Sequence, residues 1–297
     1  MSRIKALAVL VNYGEEQLEF LEAVVDHLKS FRKYEVTIVV QSNININISN
    51  IDEVNILSME NFQYLPLTCR KIIWEKRNQY QLFIYGENDH LFKEVHLDKH
   101  IEYSKILPSD RISGLLQYEE NDHGRYYPAY HDDFDWDYKS VEVYEGKKFG
   151  HFTNLHQASF ILTKSQLIKC GKSFDFTALV KEKDKLNFTE RLVKRIKIKT
   201  GQKPLERLNK YSVKCKVNTD IYKYGGMKKL ICITDIEDNL IHHLPNLYIN
   251  GEKGRRKLRS SEDRMSLALT KLEKAKVRRS DFFFLRKKFE KIFDFFN

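Results

Sequence analysis

Glu87, Asn88 and Asp89 follow the apolar run Leu82-Phe83-Ile84-Tyr85-Gly86, which sets two carboxylates at i and i+2 where a buried strand ends. Carboxylates at that place face the ligand crevice of an α/β sheet, and two on one extended turn can share a hard divalent cation, which takes oxygen ligands. The same residues also suit a polar turn that closes the strand, with Asp89 capping a following helix. A second polar group runs from Asp238 to Asn246 and holds His242 and His243. Adjacent side chains point in different directions, so at most one of these imidazoles shares a site with Asp89. The plain alternative is a helix end ahead of Pro245. His156-Gln157-Ala158-Ser159 precedes another apolar run, either as site residues or as a simple strand entry.

Positioning such groups takes a framework, and its elements show in the hydrophobic periodicity. Residues 4–12 form a nearly continuous aliphatic run, the pattern of a strand buried on both faces, and end in the turn Asn12-Tyr13-Gly14. Leu18, Leu21, Val24, Val25 and Leu28 then recur at helical spacing, with Glu15, Glu16 and Glu19 at the N-terminal turn, where the helix dipole favours acids. Residues 36–40 form a second buried strand. This opening marks an α/β domain with a largely parallel sheet. Helical patterns follow over 67–79 and 93–106 and from Lys164 onward, with strands over 82–85, 112–118, 157–163 and 229–234. The Asn/Ile alternation of residues 43–48 reads as an edge strand or as low complexity. Residues 121–139 read as one long loop, and its segment His131-Asp132-Asp133-Phe134-Asp135-Trp136 mixes aromatic rings and acids as sugar-binding surfaces do. A plain solvated loop has the same composition.

The chain has 297 residues, 42% of them hydrophobic, with 19 Phe and 16 Tyr, which excludes a disordered chain. Its net charge of +10 is unevenly spread. Residues 181–216 carry +9 and residues 252–297 carry +8, so the remainder carries −7. An acidic body with two basic blocks suits docking to anionic surfaces better than coating of nucleic acid. Cys69, Cys170, Cys215 and Cys232 form no metal or disulfide spacing and read as free thiols in a reducing compartment. No secretory leader and no apolar run of about 18 residues is visible, so a cytoplasmic location is expected. Phe282, Leu285, Phe289, Ile292, Phe293 and Phe296 make one stripe of an amphipathic tail helix, with Arg286, Lys287, Lys288 and Lys291 opposite.

The stretches Ala8–Tyr13, Leu67–Arg70, Phe83–Phe92, Gly114–Glu119, His156–Thr163 and His242–Tyr248, in that order, resemble nucleotide-sugar glycosyltransferases of the GT-A fold with a Tyr-x-Glu-Asp-Asp type acidic motif. The resemblance spans roughly residues 4–250. It implies a Rossmann-like, mixed but mainly parallel sheet flanked by helices. The donor-binding half would cover about 1–120 and the acceptor half about 121–250, with 251–297 as a basic, amphipathic helical extension. It also implies Mn²⁺ or Mg²⁺ bridging the diphosphate of a nucleotide sugar, most simply a UDP-sugar, and offsetting the charge of the leaving group.

By the same resemblance Asp89 and Glu87 are metal ligands, together with one of His242 and His243, preferably His243. Asn88 replaces the usual middle Asp and would meet ribose or metal through its amide oxygen. Asn12, Tyr13 and Glu15 would meet the base or ribose, and Arg70 the diphosphate. An inverting enzyme also needs a base for the acceptor hydroxyl, with Asp220 as first choice and Glu119, Glu206 and Asp238 as rivals. Asp220 equally suits the first turn of a helix after an Asn cap. The acceptor expected is a glycan or lipid-linked oligosaccharide at an anionic membrane face, with no nucleic acid as partner and homo-oligomerisation open. Two rival readings are a metal-dependent nuclease or nucleotidyltransferase using Glu87, Asp89, Asp132 and Asp133, and a non-catalytic carbohydrate- or lipid-binding protein on the same fold.

Overall fold

The computed structural model describes residues 3–128, 135–179, 211–249 and 259–276, with single positions 189, 192 and 196 between them. The expected tail helix over 281–297, His131–Phe134 of the acidic loop, Glu206 and most of the basic block 181–216 lie outside the described residues.

In chain order the first half gives β1 (Ile4–Asn12), α1 (Leu18–Lys29), β2 (Tyr34–Ser42), β3 (Glu53–Ile56), α2 (Leu65–Glu75), β4 (Leu82–Glu87), β5 (His90–Leu91) and α3 (Glu94–Ile106). There follow β6 (Arg111–Ser113), β7 (Leu116–Asn121), β8 (Gly124–Pro128), β9 (Trp136–Tyr144), β10 (Lys147–Phe152), β11 (Ser159–Thr163) and α4 (Lys164–Ser173). The last elements are α5 (Lys216–Tyr224), β12 (Lys228–Cys232), β13 (Leu240–His243), β14 (Arg259–Ser261) and α6 (Glu262–Lys274). The protein is therefore α/β, with mixed sheets flanked by helices.

The central sheet has the order β11-β4-β1-β2-β3; β1 to β4 run parallel and β11 runs antiparallel to β4. The aliphatic run of β1 is buried on both faces because helices cover both. Leu7, Val9 and Val11 meet α2 and α5 on one side, and Ala6, Ala8 and Leu10 meet α1 and α3 on the other. In α1, Leu21, Val24, Val25 and Leu28 are the buried stripe. The start of α4 is fixed by a reciprocal cap: Gln166 N donates to Thr163 Oγ1 and Thr163 N to Gln166 Oε1. A second sheet has the order β6-β12-β10-β9 and a third β14-β8-β7-β13-β5, and a separate core around Tyr118, Trp136, Phe152 and Ile231 packs on Met265, Ala268 and Leu272 of α6.

Two expectations are corrected, and one hairpin is new. Residues 121–139 are not one loop: β7 and β8 form a hairpin, and β9 starts at Trp136, whose ring is buried against Phe152. Residues 43–48 form no strand; Ile46 is buried and Ile44 and Ile48 pack against the core, so the alternation anchors a loop. The β9–β10 hairpin over 136–152 was invisible to hydrophobic patterning because polar Ser140 and Glu142 occupy its buried face.

Lys229, on β12, lies 1% exposed. Its ammonium has the carbonyl of Asn154 at 3.3 Å and the Tyr222 ring at 5.2 Å, and burial pulls its pKa down to about 7. The unfolded side chain titrates near ~10.4, so between pH 7 and 10 the unfolded state binds the extra proton and stability rises with pH. Lys229→Met should stabilise the protein at pH 7 and below by an amount on the order of a few kcal/mol, and flatten the stability profile from pH 7 to 10. Urea melts at several pH values check this; an unchanged slope in the variant would contradict it.

Candidate metal centre

In this sheet order the chain turns one way from β1 to β2 and the other way from β1 to β4, so the crevice beyond β1 and β4 is the topological switch point, where α/β sheets take ligands. Asn12 ends β1, Glu87 ends β4, and Asn88 and Asp89 follow it. Asn88 Nδ2 donates to Asn12 Oδ1 at 2.7 Å and ties the two strand ends together. Asn12 in turn donates to the Gly14 carbonyl at 3.0 Å. Gly14 has φ +72°, which the tight turn after β1 demands, and its N–H donates to Asn43 Oδ1.

Only Asn88 and Asp89 separate β4 from β5, so the chain leaves the central sheet at Asp89 and enters the third sheet at His90. There β13 lies between β5 and β7. The register places His243 opposite His90 and His242 opposite Tyr118, next to Glu119. His243 is thereby held between two carboxylates: its Nε2 is 3.2 Å from Asp89 Oδ2 and its Nδ1 is 2.6 Å from Glu119 Oε1. His90 Nδ1 meets Asp89 Oδ1 at 2.6 Å, and its Nε2 meets the amide nitrogen of Gln117. Glu119 Oε2 accepts the backbone N–H groups of Tyr248 and Ile249 at 2.9 and 2.8 Å.

Burial alone would raise the Asp89 pKa, but the His243 and His90 imidazoles hold it well below the ordinary carboxylate range. His243 mirrors this: burial opposes its charge, yet Asp89 and Glu119 raise its pKa to about 10. Burial, followed by the Asp89 charge, raises the pKa of Glu87, with Lys214 acting in the opposite direction.

Asp89, His90 and His243 can each turn one ligand atom toward a common point, with all three atoms within 4.8 Å of one another. Among the described residues no other such group of His, Cys, Asp and Glu occurs. One carboxylate and two imidazoles suit a first-row divalent ion, Zn²⁺ or Fe²⁺ ahead of Mn²⁺, better than the all-oxygen shell that Mg²⁺ prefers. The donor set thus fits a metal ion.

The expected site residues fall into two groups. Asp89 and His243 meet, while His242 faces away and stacks on Tyr118 at 4.8 Å. Glu87 is outside the three-residue cluster, although it ends the same strand. Asn12 and Asn88 line the switch point. Tyr13 is 63% exposed and its ring lies 5.3 Å from that of Phe62, an aromatic shelf beside the crevice; Glu15 is exposed on the same turn. Glu119 lies behind His243, fully buried, rather than open to an acceptor. Asp238 is 3.4 Å from Lys99 and takes part in an ion pair. His90 and Gln117 were not among the expected site residues. Both stand inside stretches that carry the resemblance, and a histidine directly after the acidic motif was the available signal.

Arg70 and Asp220 meet each other. Arg70 Nη1 is 3.1 Å from Asp220 Oδ2, and Nη2 donates to the Ala178 carbonyl at 2.9 Å. The guanidinium is fully buried and lies 5.6 Å from the Phe174 ring. Burial lowers the Arg70 pKa and raises that of Asp220, and the attraction between them opposes both shifts. In this arrangement Arg70 presents no charge to a diphosphate and Asp220 none to an acceptor hydroxyl. The pair joins α2 to α5.

No family model matches the chain, and no curated protein matches it.

Removing one partner of a buried pair strands the other charge, which costs about 3–5 kcal/mol. Asp220→Ala should therefore lower unfolding stability by that order, and Arg70→Met combined with Asp220→Leu should recover most of it, as read from urea midpoints. A stable Asp220→Ala protein would remove the structural role assigned to the pair.

Proposed function

We propose that the chain is a metal-dependent glycosyltransferase of the GT-A type, which moves a sugar from a nucleotide sugar, most simply UDP-linked, to a hydroxyl of a glycan or lipid-linked oligosaccharide. The observation that carries this reading is the meeting of Asp89 and His243 directly beyond the switch point between β1 and β4, where the stretches Ala8–Tyr13, Phe83–Phe92, Gly114–Glu119 and His242–Tyr248 of the resemblance meet.

Asp89 and His243, with His90 beside them, would hold Mn²⁺ or a like ion. A bound divalent ion there supplies positive charge against the diphosphate that leaves. The chain's own residues do the positioning. The Asn12–Asn88 bridge fixes the spacing of the two strand ends that would flank the nucleotide. The exposed Tyr13 ring, backed by Phe62, offers a face on which a base or sugar can stack. Asn88, in place of an acid, keeps a polar amide at this point without adding repulsion against the phosphates. Asp220 and Glu119 are both engaged in the interior and are not carried into the mechanism as bases.

This reading places the enzyme on the cytoplasmic side, with the basic segments of residues 181–216 and 252–297 against an anionic membrane surface. No helix among the described residues is long and apolar enough to cross a membrane.

A thermal-shift series with Mn²⁺ and a panel of nucleotide sugars tests the proposal. One nucleotide sugar with Mn²⁺ should stabilise the protein selectively, by about 2.7 kcal/mol at a hundredfold excess over its Kd. Asp89→Asn should abolish both that stabilisation and turnover. Stabilisation by DNA in place of nucleotide sugars, or full metal-dependent turnover in Asp89→Asn, would overturn the reading.

A further inference from the structure

Glu119 is a carboxylate without solvent contact that accepts three N–H groups. Its two oxygens divide the work. Oε2 takes the backbone N–H groups of Tyr248 and Ile249, which cannot turn into acceptors, and Oε1 takes Nδ1 of His243. A carboxylate oxygen only accepts, so Nδ1 must carry hydrogen, and of the two ring nitrogens it is Nε2 whose proton a metal ion beside Asp89 would replace. The other ring nitrogen, Nε2, is the one facing Asp89.

We propose that Glu119 is a positioning residue that fixes His243 with its proton on Nδ1 and so delivers the Nε2 lone pair to the metal point beside Asp89. This rests on the metal reading of the centre but not on sugar transfer. Carboxylates behind metal-binding imidazoles orient the ring and raise its basicity, and their loss lowers metal affinity about 10- to 100-fold. The same carboxylate also ties the backbone at 248–249 to β7 through Oε2, so the chain beyond β13 and the orientation of its histidine share one anchor.

Glu119→Gln is the informative change because it has the same shape. The two backbone donors compel the amide oxygen to take the place of Oε2, which leaves the amide NH₂ at the place of Oε1, facing Nδ1 of His243. An NH₂ group donates, so Nδ1 must accept and the one hydrogen of the neutral ring stays on Nε2, the nitrogen meant for the metal. The variant should keep its fold and its buried contacts while losing metal affinity.

Titration calorimetry with Mn²⁺ alone should show affinity falling about 10- to 100-fold in Glu119→Gln, with a melting temperature close to that of the parent. In a His243→Gln background the same change at Glu119 should have little further effect on Mn²⁺ affinity. The parent protein gives an independent measurement that needs no folded variant. With diamagnetic Zn²⁺ bound, ¹⁵N spectra should show His243 protonated at Nδ1 and metal-bound at Nε2. Mn²⁺ affinity within twofold of the parent in Glu119→Gln, or a His243 protonated at Nε2 in the Zn²⁺ form, would overturn the proposal. Failure of the transferase reading shows separately, as normal metal binding with no response to any nucleotide sugar.

Discussion

A carboxylate buried as deeply as that of Asp89 must find positive charge, and much of the molecule's architecture follows from how it does so. An isolated ion of this kind in a protein interior costs several kcal/mol even after relaxation, far more than one hydrogen bond returns. His243 meets that demand, but Glu119 holds the other side of the same ring. Two buried carboxylates thus share the His243 ring, with His90 on the other oxygen of Asp89 and Glu87, two residues away, adding repulsion. A divalent ion in place of the single His243 proton brings twice the positive charge to this point. On the metal reading, charge adds to what the ligand count suggests.

The convergence is a product of backbone register. His90, His243 and Glu119 come from three chain segments, and only the placement of β13 between β5 and β7 aligns them. A slip of one residue in β13 would turn His242 toward Asp89 and send His243 to the Tyr118 side, since strand side chains alternate. Several contacts oppose that slip. His242 is stacked on Tyr118, Ile241 is fully buried in the core, and the Leu244 N–H donates to the Asp89 carbonyl. At the other strand end, Gly86 leaves room for the Phe92 ring, whose edge would lie 2.7 Å from an added Cβ. Packing on the apolar side of β4 and hydrogen bonding on the polar side thus locate Asp89 together.

This division explains what was legible in the sequence. The parallel strands β1, β2 and β4 showed in their aliphatic runs, the short edge strand β3 did not, and the acidic turn after β4 showed because strand ends are where such sheets place ligands. His243 was preferred over His242 by resemblance, and register gives that preference a geometric reason. The β7–β8 and β9–β10 hairpins did not show, because their buried faces hold Tyr, Ser and Glu in place of an alternation of aliphatics. Gln117 and Glu119 acquire their meaning only when β13, more than a hundred residues later, lies beside β7. No local pattern encodes a partner at that distance.

Arg70 with Asp220 and Asp89 with His243 illustrate two ways of burying charge, and the difference separates framework from site. In the first, a permanently charged guanidinium meets one carboxylate, and a carbonyl takes its second arm, beneath aromatic rings. That arrangement leaves only the buried Arg70 Nε without a partner and fastens α2 to α5. In the second, the positive partner is a titratable ring shared by competing carboxylates, at the open end of parallel strands, beside polar groups tied across the switch point. Its balance depends on a proton that an ion can replace. Expectations from motif order put both sets of residues at the ligand. The physics of pairing divides them, because a guanidinium with its own buried carboxylate has no charge left to offer, whereas an imidazole caught between two carboxylates has room for more positive charge.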